Sequence, residues 1–402
     1  MELINGRGIY IHRFNIFAGL FSVLLYLLAS SINTVAASWQ LPYFSIGLLN
    51  FLGSIVYVLS TLTFGRLGDK IGFKLLLIVS MVLFGLFLPV GFLWSQVWHL
   101  FLFVVVMNLF FGIFFPCIEG LISSREKSEG VSPVATTMRF TLSWSIGNIF
   151  GMAFGPFLIE RLSFLVFLYG MVLSFLAAFL IYSHFRKYGD HLPGPYSPKL
   201  LNTRAKIDFP RIRLYRKTYR LTFVIAGIIY SAVLALFPKI LSFYNLPLEK
   251  VGFFIVGANI GVFLSFVLLT LFRFWVGNPG FSFLLMAVFP VTAASFFLSP
   301  SPAVFFLIAF LAGVTYAVPY TFAIFYGLSS QENDHGKQGG IHEAMVGIIF
   351  GFGPLIGGLF LELWPDLKSL GVMTALLCLV SYAIQLRFLK RLHEEDEASQ
   401  RL

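Results

Sequence analysis

The sequence predicts an all-α membrane protein of twelve spanning helices in two pseudo-symmetric six-helix bundles, and three observations carry that prediction. Its 402 residues are 58% hydrophobic and 11% charged, with a mean hydropathy of +0.87, whereas soluble domains carry about 25% charged residues. The apolar residues gather in runs of about twenty, the length that crosses a bilayer core. The runs lack the period-two alternation of barrel strands, so helices, which satisfy their own backbone hydrogen bonds, are the spanning element.

The runs centre near residues 24, 55, 84, 109, 148, 173, 229, 262, 288, 314, 350 and 379. The longest polar interval, His184 to Arg220, separates the sixth from the seventh. The expected organisation is therefore a first bundle over 1–184, a basic central loop over 185–219, and a second bundle over 220–402 with a short acidic tail from His393 to Glu397. The first run begins near Asn15 and no small-residue cleavage site follows, so it is expected to stay as a helix.

The halves repeat each other. Leu41-Pro42 with Ile46-Gly47 opens the second run, and Leu246-Pro247 with Val251-Gly252 opens the eighth. Gly155-Pro156 in the fifth run is answered by Gly353-Pro354 in the eleventh, a pair of expected helix breaks.

Charge orients the bundle. Of the 28 lysines and arginines, only Arg161, Lys239, Lys250 and Lys368 fall on the side opposite the amino terminus. The positive-inside rule then places both termini, and the basic central segment with Arg204, Lys206, Arg211, Arg213, Arg216, Lys217 and Arg220, in the cytoplasm of a multi-pass plasma-membrane protein. The formal charge of +10 is thereby assigned to membrane orientation, not to nucleic acid. Cys117 and Cys378 lie inside apolar runs without His or Cys neighbours at metal spacing, so neither a disulfide nor a metal site is expected. HExxH, GxSxG, paired-aspartate and Walker-type patterns are absent, which argues against an intramembrane enzyme or an ATP-driven pump and implies no cofactor.

Between the second and third runs stands Gly65-Arg66-Leu67-Gly68-Asp69-Lys70-Ile71-Gly72-Phe73-Lys74. Three glycines in such an island suit a short turn with positive φ and close backbone approach. The island resembles the loop between helices 2 and 3 of the major facilitator superfamily, whose pattern is G-x-L-x-D-R-x-G-R-R/K. Gly65, Leu67, Asp69, Gly72 and Lys74 match, Lys70 replaces an arginine, and Phe73 stands where a second arginine is usual. The resemblance implies two six-helix bundles around a midplane site and alternating access between them. It also implies a gate formed by Gly65, Asp69, Lys70, Gly72, Lys74 and Arg139, with Asp69 near the start of the eleventh helix at Gly339 and Gly340.

Ionisable residues inside spans are costly and functional by default. Glu119 and Arg139 are expected to be neighbours across the loop between the fourth and fifth helices, either as a structural ion pair or with one member exchanging protons. His342 and Glu343 open the eleventh helix, Glu343 as a first-turn electrostatic cap or a proton site, His342 as a solvated terminus or a switch. The superfamily's helix 4 arginine of proton antiporters is here Asn108, four residues before Gly112. Asn108, Asn148 and Asn259 are midspan amides that either bind substrate or join helices. Tyr26, Trp144, Tyr230, Tyr316 and Tyr320 sit inside spans, away from the usual interfacial belt, as candidate cavity residues. Helices 1, 4, 7 and 10 are expected to line the cavity, as the resemblance implies.

Small residues four apart, Gly147, Gly151, Gly155-Pro156 and Gly347, Gly351, Gly353-Pro354, make smooth helix faces that serve either as rocking seams or simply to pack helices together. The expected function is secondary active transport of a small, neutral or amphipathic solute by a monomer in the lipid bilayer, proton-coupled and favouring efflux. The alternatives are an uptake uniporter or symporter, and a non-transporting receptor or scaffold that keeps the fold.

Overall fold

A computed structural model describes residues 9–129, 133–163, 165–188, 212–328 and 335–400, without the side chains of 9–12, 69, 123–137, 188, 273, 328, 335–339, 396 and 398–400. The first half comprises α1 (Ile9–Ser38), α2 (Tyr43–Ile71), α3 (Phe73–Phe87), α4 (Val97–Glu129), α5 (Pro133–Leu162) and α6 (Leu165–Tyr188). The second comprises α7 (Ile212–Phe243), α8 (Val251–Leu271), α9 (Pro279–Leu285), α10 (Val288–Ser295), α11 (Pro302–Leu328), α12 (His335–Leu363) and α13 (Leu367–Gln400). Eleven of these helices are long and apolar enough to cross a membrane. The shorter pair α9 and α10 makes the ninth of twelve spans. Pro290 explains its division: the ring has no N–H to give to the Met286 carbonyl and would crowd it, so the helix closes at Met286 and restarts at Val288. Pro156 and Pro354, expected as breaks, instead lie inside continuous helices.

α6 reaches Tyr188 and α7 starts at Ile212, so both helices enter the interval 185–219 assigned to the linker, and Arg213, Arg216, Lys217 and Arg220 belong to α7. Arg204, Lys206 and Arg211 lie outside the described residues. α7 is the most enclosed span, 89% of its apolar window being buried, against 39% for α3 and α6, which face lipid.

Lipid supplies no hydrophobic drive between helices, so association depends on close backbone packing. Within the first half a Cβ on Gly147 would stand 2.2 Å from the Gly19 carbonyl oxygen, and one on Gly155 2.0 Å from Ser30 Oγ, so α5 lies directly on α1. In the second half Gly353 of α12 meets α7 the same way, 1.9 Å from Ser231 Oγ. Serines join each pair: Ser31 Oγ donates to the Gly155 carbonyl at 3.0 Å, and Ser231 Oγ to the Ile349 carbonyl at 2.8 Å. The glycine face of α5 thus packs helices within one half, the second of its two expected roles.

The contact between halves is made elsewhere. α2 lies along α12, where a Cβ on Gly47 would meet the Pro354 carbonyl oxygen at 2.5 Å, one on Gly347 the Val58 side chain at 2.6 Å and one on Gly351 Ser54 Cβ at 2.8 Å. α8 lies along α5 through its related glycine, Gly252, 2.3 Å from the Ala153 carbonyl oxygen. Gly47 and Gly252 are the two members of the Leu-Pro repeat, so duplication placed the same close approach on each side of the interface.

Gly147→Ala is expected to force α1 and α5 apart and cost about 1–3 kcal/mol, the usual range for overpacking. Gly340→Ala, whose added methyl would meet nothing nearer than the Thr61 carbonyl oxygen at 3.6 Å, is expected to be neutral. Thermal unfolding of the two purified variants in one detergent checks the contrast.

Candidate functional site

A cavity with an empty volume of about 1150 Å³ lies between the halves. Each helix contributes side chains about one turn apart: Asn50, Ser54 and Tyr57 from α2, Phe140, Trp144, Asn148 and Met152 from α5, Tyr316 and Tyr320 from α11. Lining therefore comes from α1, α4, α7 and α11, as expected for helices 1, 4, 7 and 10, and equally from α2, α5 and α12. The polar stripe at 50, 54 and 57 was visible in the sequence as an i, i+4, i+7 pattern, and its members were not among the expected site residues.

Of the expected ligand residues, Tyr26, Asn108, Trp144, Asn148, Tyr316 and Tyr320 line the cavity. Tyr230 and Asn259 do not; they form a buried layer behind it. Tyr230 stacks on Tyr316, with ring centroids 4.4 Å apart, and donates its hydroxyl to Asn259 Oδ1 at 2.9 Å. The Tyr26 hydroxyl, from the other half, stands beside that of Tyr230. The Tyr230–Asn259 bond ties α7 to α8. Asn108 lines the cavity, but its amide donates to the Val104 carbonyl of its own helix at 2.9 Å while Gly53 of α2 packs against it.

The coupling candidates are arranged otherwise than expected. Glu119 does not pair with Arg139: Glu119 Oε1 and an Arg139 guanidinium nitrogen are buried without a hydrogen-bond partner. Glu119 instead stands near Glu343 across the halves. An ionised carboxylate only accepts, so the two could bond to each other only with a proton on one of them. Tyr57 adds its hydroxyl, donating to Glu343 Oε2. α12 begins at His335, so Glu343 sits beyond the first turn, buried at 5% exposure, and is no helix cap. His342, expected either as a solvated terminus or as a switch, is 4% exposed, stacked on Phe223 at 5.4 Å and edge-on to Tyr320 at 5.0 Å, so it is no solvated terminus.

The gate motif is mostly helical. α2 continues through Gly65 and Gly68 to Ile71, and of the three glycines expected to need positive φ only Gly72 has it, at 94°. Phe73, the departure from the family pattern, seats its ring against Gly68 of α2 and Gly120 of α4; a Cβ on either would lie within 2.5 Å of it. Lys74 holds its ammonium 5.3 Å from the Phe185 ring centroid on α6, and Lys70 is exposed. The Asp69 side chain and Gly339 lie outside the described side chains, so their expected contact is a proposal taken up below.

Phe73→Ala is expected to lower stability by up to about 3 kcal/mol through the void left between α2 and α4. Restoring the family's arginine, Phe73→Arg, should also lower the unfolding temperature, because a guanidinium cannot fill that apolar notch.

The profile of the Major Facilitator Superfamily matches residues 14–325. Among solved structures, the nucleoside transporter NupG is similar with a TM-score of 0.66 at 14% identity, covering 95% of this chain and 98% of that one. A bacterial homologue of the human lysosomal transporter Spinster, in an inward-facing and occupied conformation, is similar with a TM-score of 0.68 at 14% identity, covering 94% and 96%. No curated protein sequence matches the chain. Duplicated six-helix halves, a cavity between them and a match over most of its length lead to one conclusion: the chain belongs to the major facilitator superfamily.

Proposed function

We propose that the protein is a secondary transporter that carries a small, neutral or amphipathic solute through the cavity by alternating access, coupled to protons at Glu119 and Glu343. The observation that carries the reading is the cavity itself, which both halves line and in which Glu343 is the only ionisable carboxyl or basic side chain among the described lining. A solute of high charge would find no opposing cluster there, while a ring-bearing neutral one finds Tyr, Trp and Phe walls with a few amides. The similarity to a nucleoside transporter fits a solute of that kind.

Coupling follows from the position of the carboxyl pair. Glu119 belongs to one half and Glu343 to the other, so separating the halves splits the pair and obliges each group to find a new proton or water partner. Proton occupancy and conformation are then linked through one contact. The motif residues Gly65, Asp69, Lys70, Gly72 and Lys74, with Arg139, would act at the same end as its gate. Gly340, packed toward Thr61 of α2, supports α12 as the partner of that gate. The charge bias supports this end and both termini lying on the cytoplasmic side. Because the glycine face of α5 packs on α1, it supports no direction of transport, and the sign of the flux decides between efflux and uptake.

The test is a thermal-shift screen of the purified protein against pooled neutral metabolites and antimicrobials, followed by flux in proteoliposomes with an imposed pH gradient. A ligand at about 100 times its Kd stabilises by about 2.7 kcal/mol. Binding with no flux of any hit would reject transport in favour of a receptor. Glu343→Gln keeps an acceptor for Tyr57 but has no titratable proton, so flux should lose its dependence on the pH gradient while ligand binding survives. A variant that still follows the gradient would remove Glu343 from coupling.

A further inference from the structure

Several buried polar side chains end without a hydrogen-bond partner, and among the described residues Asn148 alone of these also lines the cavity. Its residue is fully buried, and neither Nδ2 nor Oδ1 completes a hydrogen bond, although the Tyr26 hydroxyl stands beside it. Leaving such an amide unmet is costly, because the desolvation of both its donor and its acceptor goes uncompensated. A helix-joining amide would be satisfied by the neighbouring helix. That role on this stretch of α5 is already taken by the glycine face and the serine bonds to α1, and Asn148 has no share in it.

What surrounds the amide is aromatic and uncharged. Trp144 lies one turn before it on the same face of α5, with Phe140 a further turn back. Tyr316, Tyr320 and Phe350 stand opposite from the second half. The Trp144 and Tyr320 rings already meet edge to face, with centroids 5.5 Å apart. A flat ring entering between these walls gains stacking, and an amide presents one donor beside one acceptor in a plane. The complement of that edge is an N–H adjacent to a C=O in a ring.

On these grounds, and resting on the reading of the cavity as a solute site, we propose that Asn148 is the polar anchor for a neutral heteroaromatic ring with a lactam edge. Asn148 accepts from the ring N–H at Oδ1 and donates from Nδ2 to the ring carbonyl, while Trp144 and Tyr316 bound its faces. Two sources share this chemistry, a nucleoside with a lactam base and a bare bicyclic lactam.

Binding to the full-length purified protein is measured by titration with three probes: 2-quinolone, N-methyl-2-quinolone, which keeps the ring and carbonyl but lacks the N–H, and inosine, whose base carries the same edge on a sugar. The expected result is saturable binding of 2-quinolone or inosine, with N-methyl-2-quinolone at least tenfold weaker. Inosine in preference to 2-quinolone identifies the nucleoside source, and the reverse identifies the bare ring. Asn148→Leu should abolish the discrimination between the two quinolones without loss of thermal stability, since it removes an unpaired amide. The methylated probe makes the test on the unmodified protein, so a misfolded variant does not blunt it. Equal binding of the two quinolones, or no binding of either lactam probe, overturns the assignment. Lactam binding without flux rejects transport and keeps the anchor. Flux of a solute lacking this edge, unchanged in Asn148→Leu, rejects the anchor and keeps transport.

Discussion

Close approach of helix backbones is the constraint on which the rest of this structure depends. Inside lipid, apolar side chains gain nothing by turning from tails to each other, so helices must find contacts that lipid cannot match. Here they are glycine to carbonyl or glycine to serine: α5 on α1, α12 on α7, α2 on α12, α8 on α5. The first two build the halves and the last two join them. Where glycines bring backbones together, no cavity remains. Where the same helices carry Tyr, Trp and Phe, the backbones are held apart and the central volume opens. The cavity is the space left by large residues among helices pinned by small ones.

Polar groups within that frame fall into two kinds. Most are spent on structure, such as the serine hydroxyls that bond to carbonyls on neighbouring helices and the Tyr230–Asn259 bond that ties α7 to α8. A smaller set is not spent. The Glu119 and Glu343 carboxyl groups stand near each other from opposite halves, a proximity that depends on the halves being together. Buried polar groups in partial networks are costly, so those that persist beside a cavity are where binding and conformational change find their energy.

Duplication explains both the symmetry and its departures. Gly47 and Gly252 perform the same packing task on opposite sides of the interface. The third helix and its counterpart diverge: α3 follows α2 after a single positive-φ glycine, whereas the ninth span is divided by Pro290. Phe73 shows how the motif tolerates its missing arginine, since the ring fills a notch between α2 and α4 that glycines on both helices leave open.

Much of the fold was legible in the sequence, because apolar run length, the charge bias and the Leu-Pro repeat report local properties that lipid enforces residue by residue. Twelve spans, two halves and the six cavity residues Tyr26, Asn108, Trp144, Asn148, Tyr316 and Tyr320 could be named on that basis. Tertiary structure alone decided which partner each residue meets. The glycine rows of α5 and α12 look alike in sequence, yet one faces α1 within its half and the other divides between α2 and α7. Tyr230 and Asn259 carry the same midspan signal as Tyr316, but face away from the cavity by a fraction of a helical turn. Glu119 lies close to Arg139 along the chain and finds Glu343 instead, because proximity in sequence does not set the rotation of a helix; packing against its neighbours does.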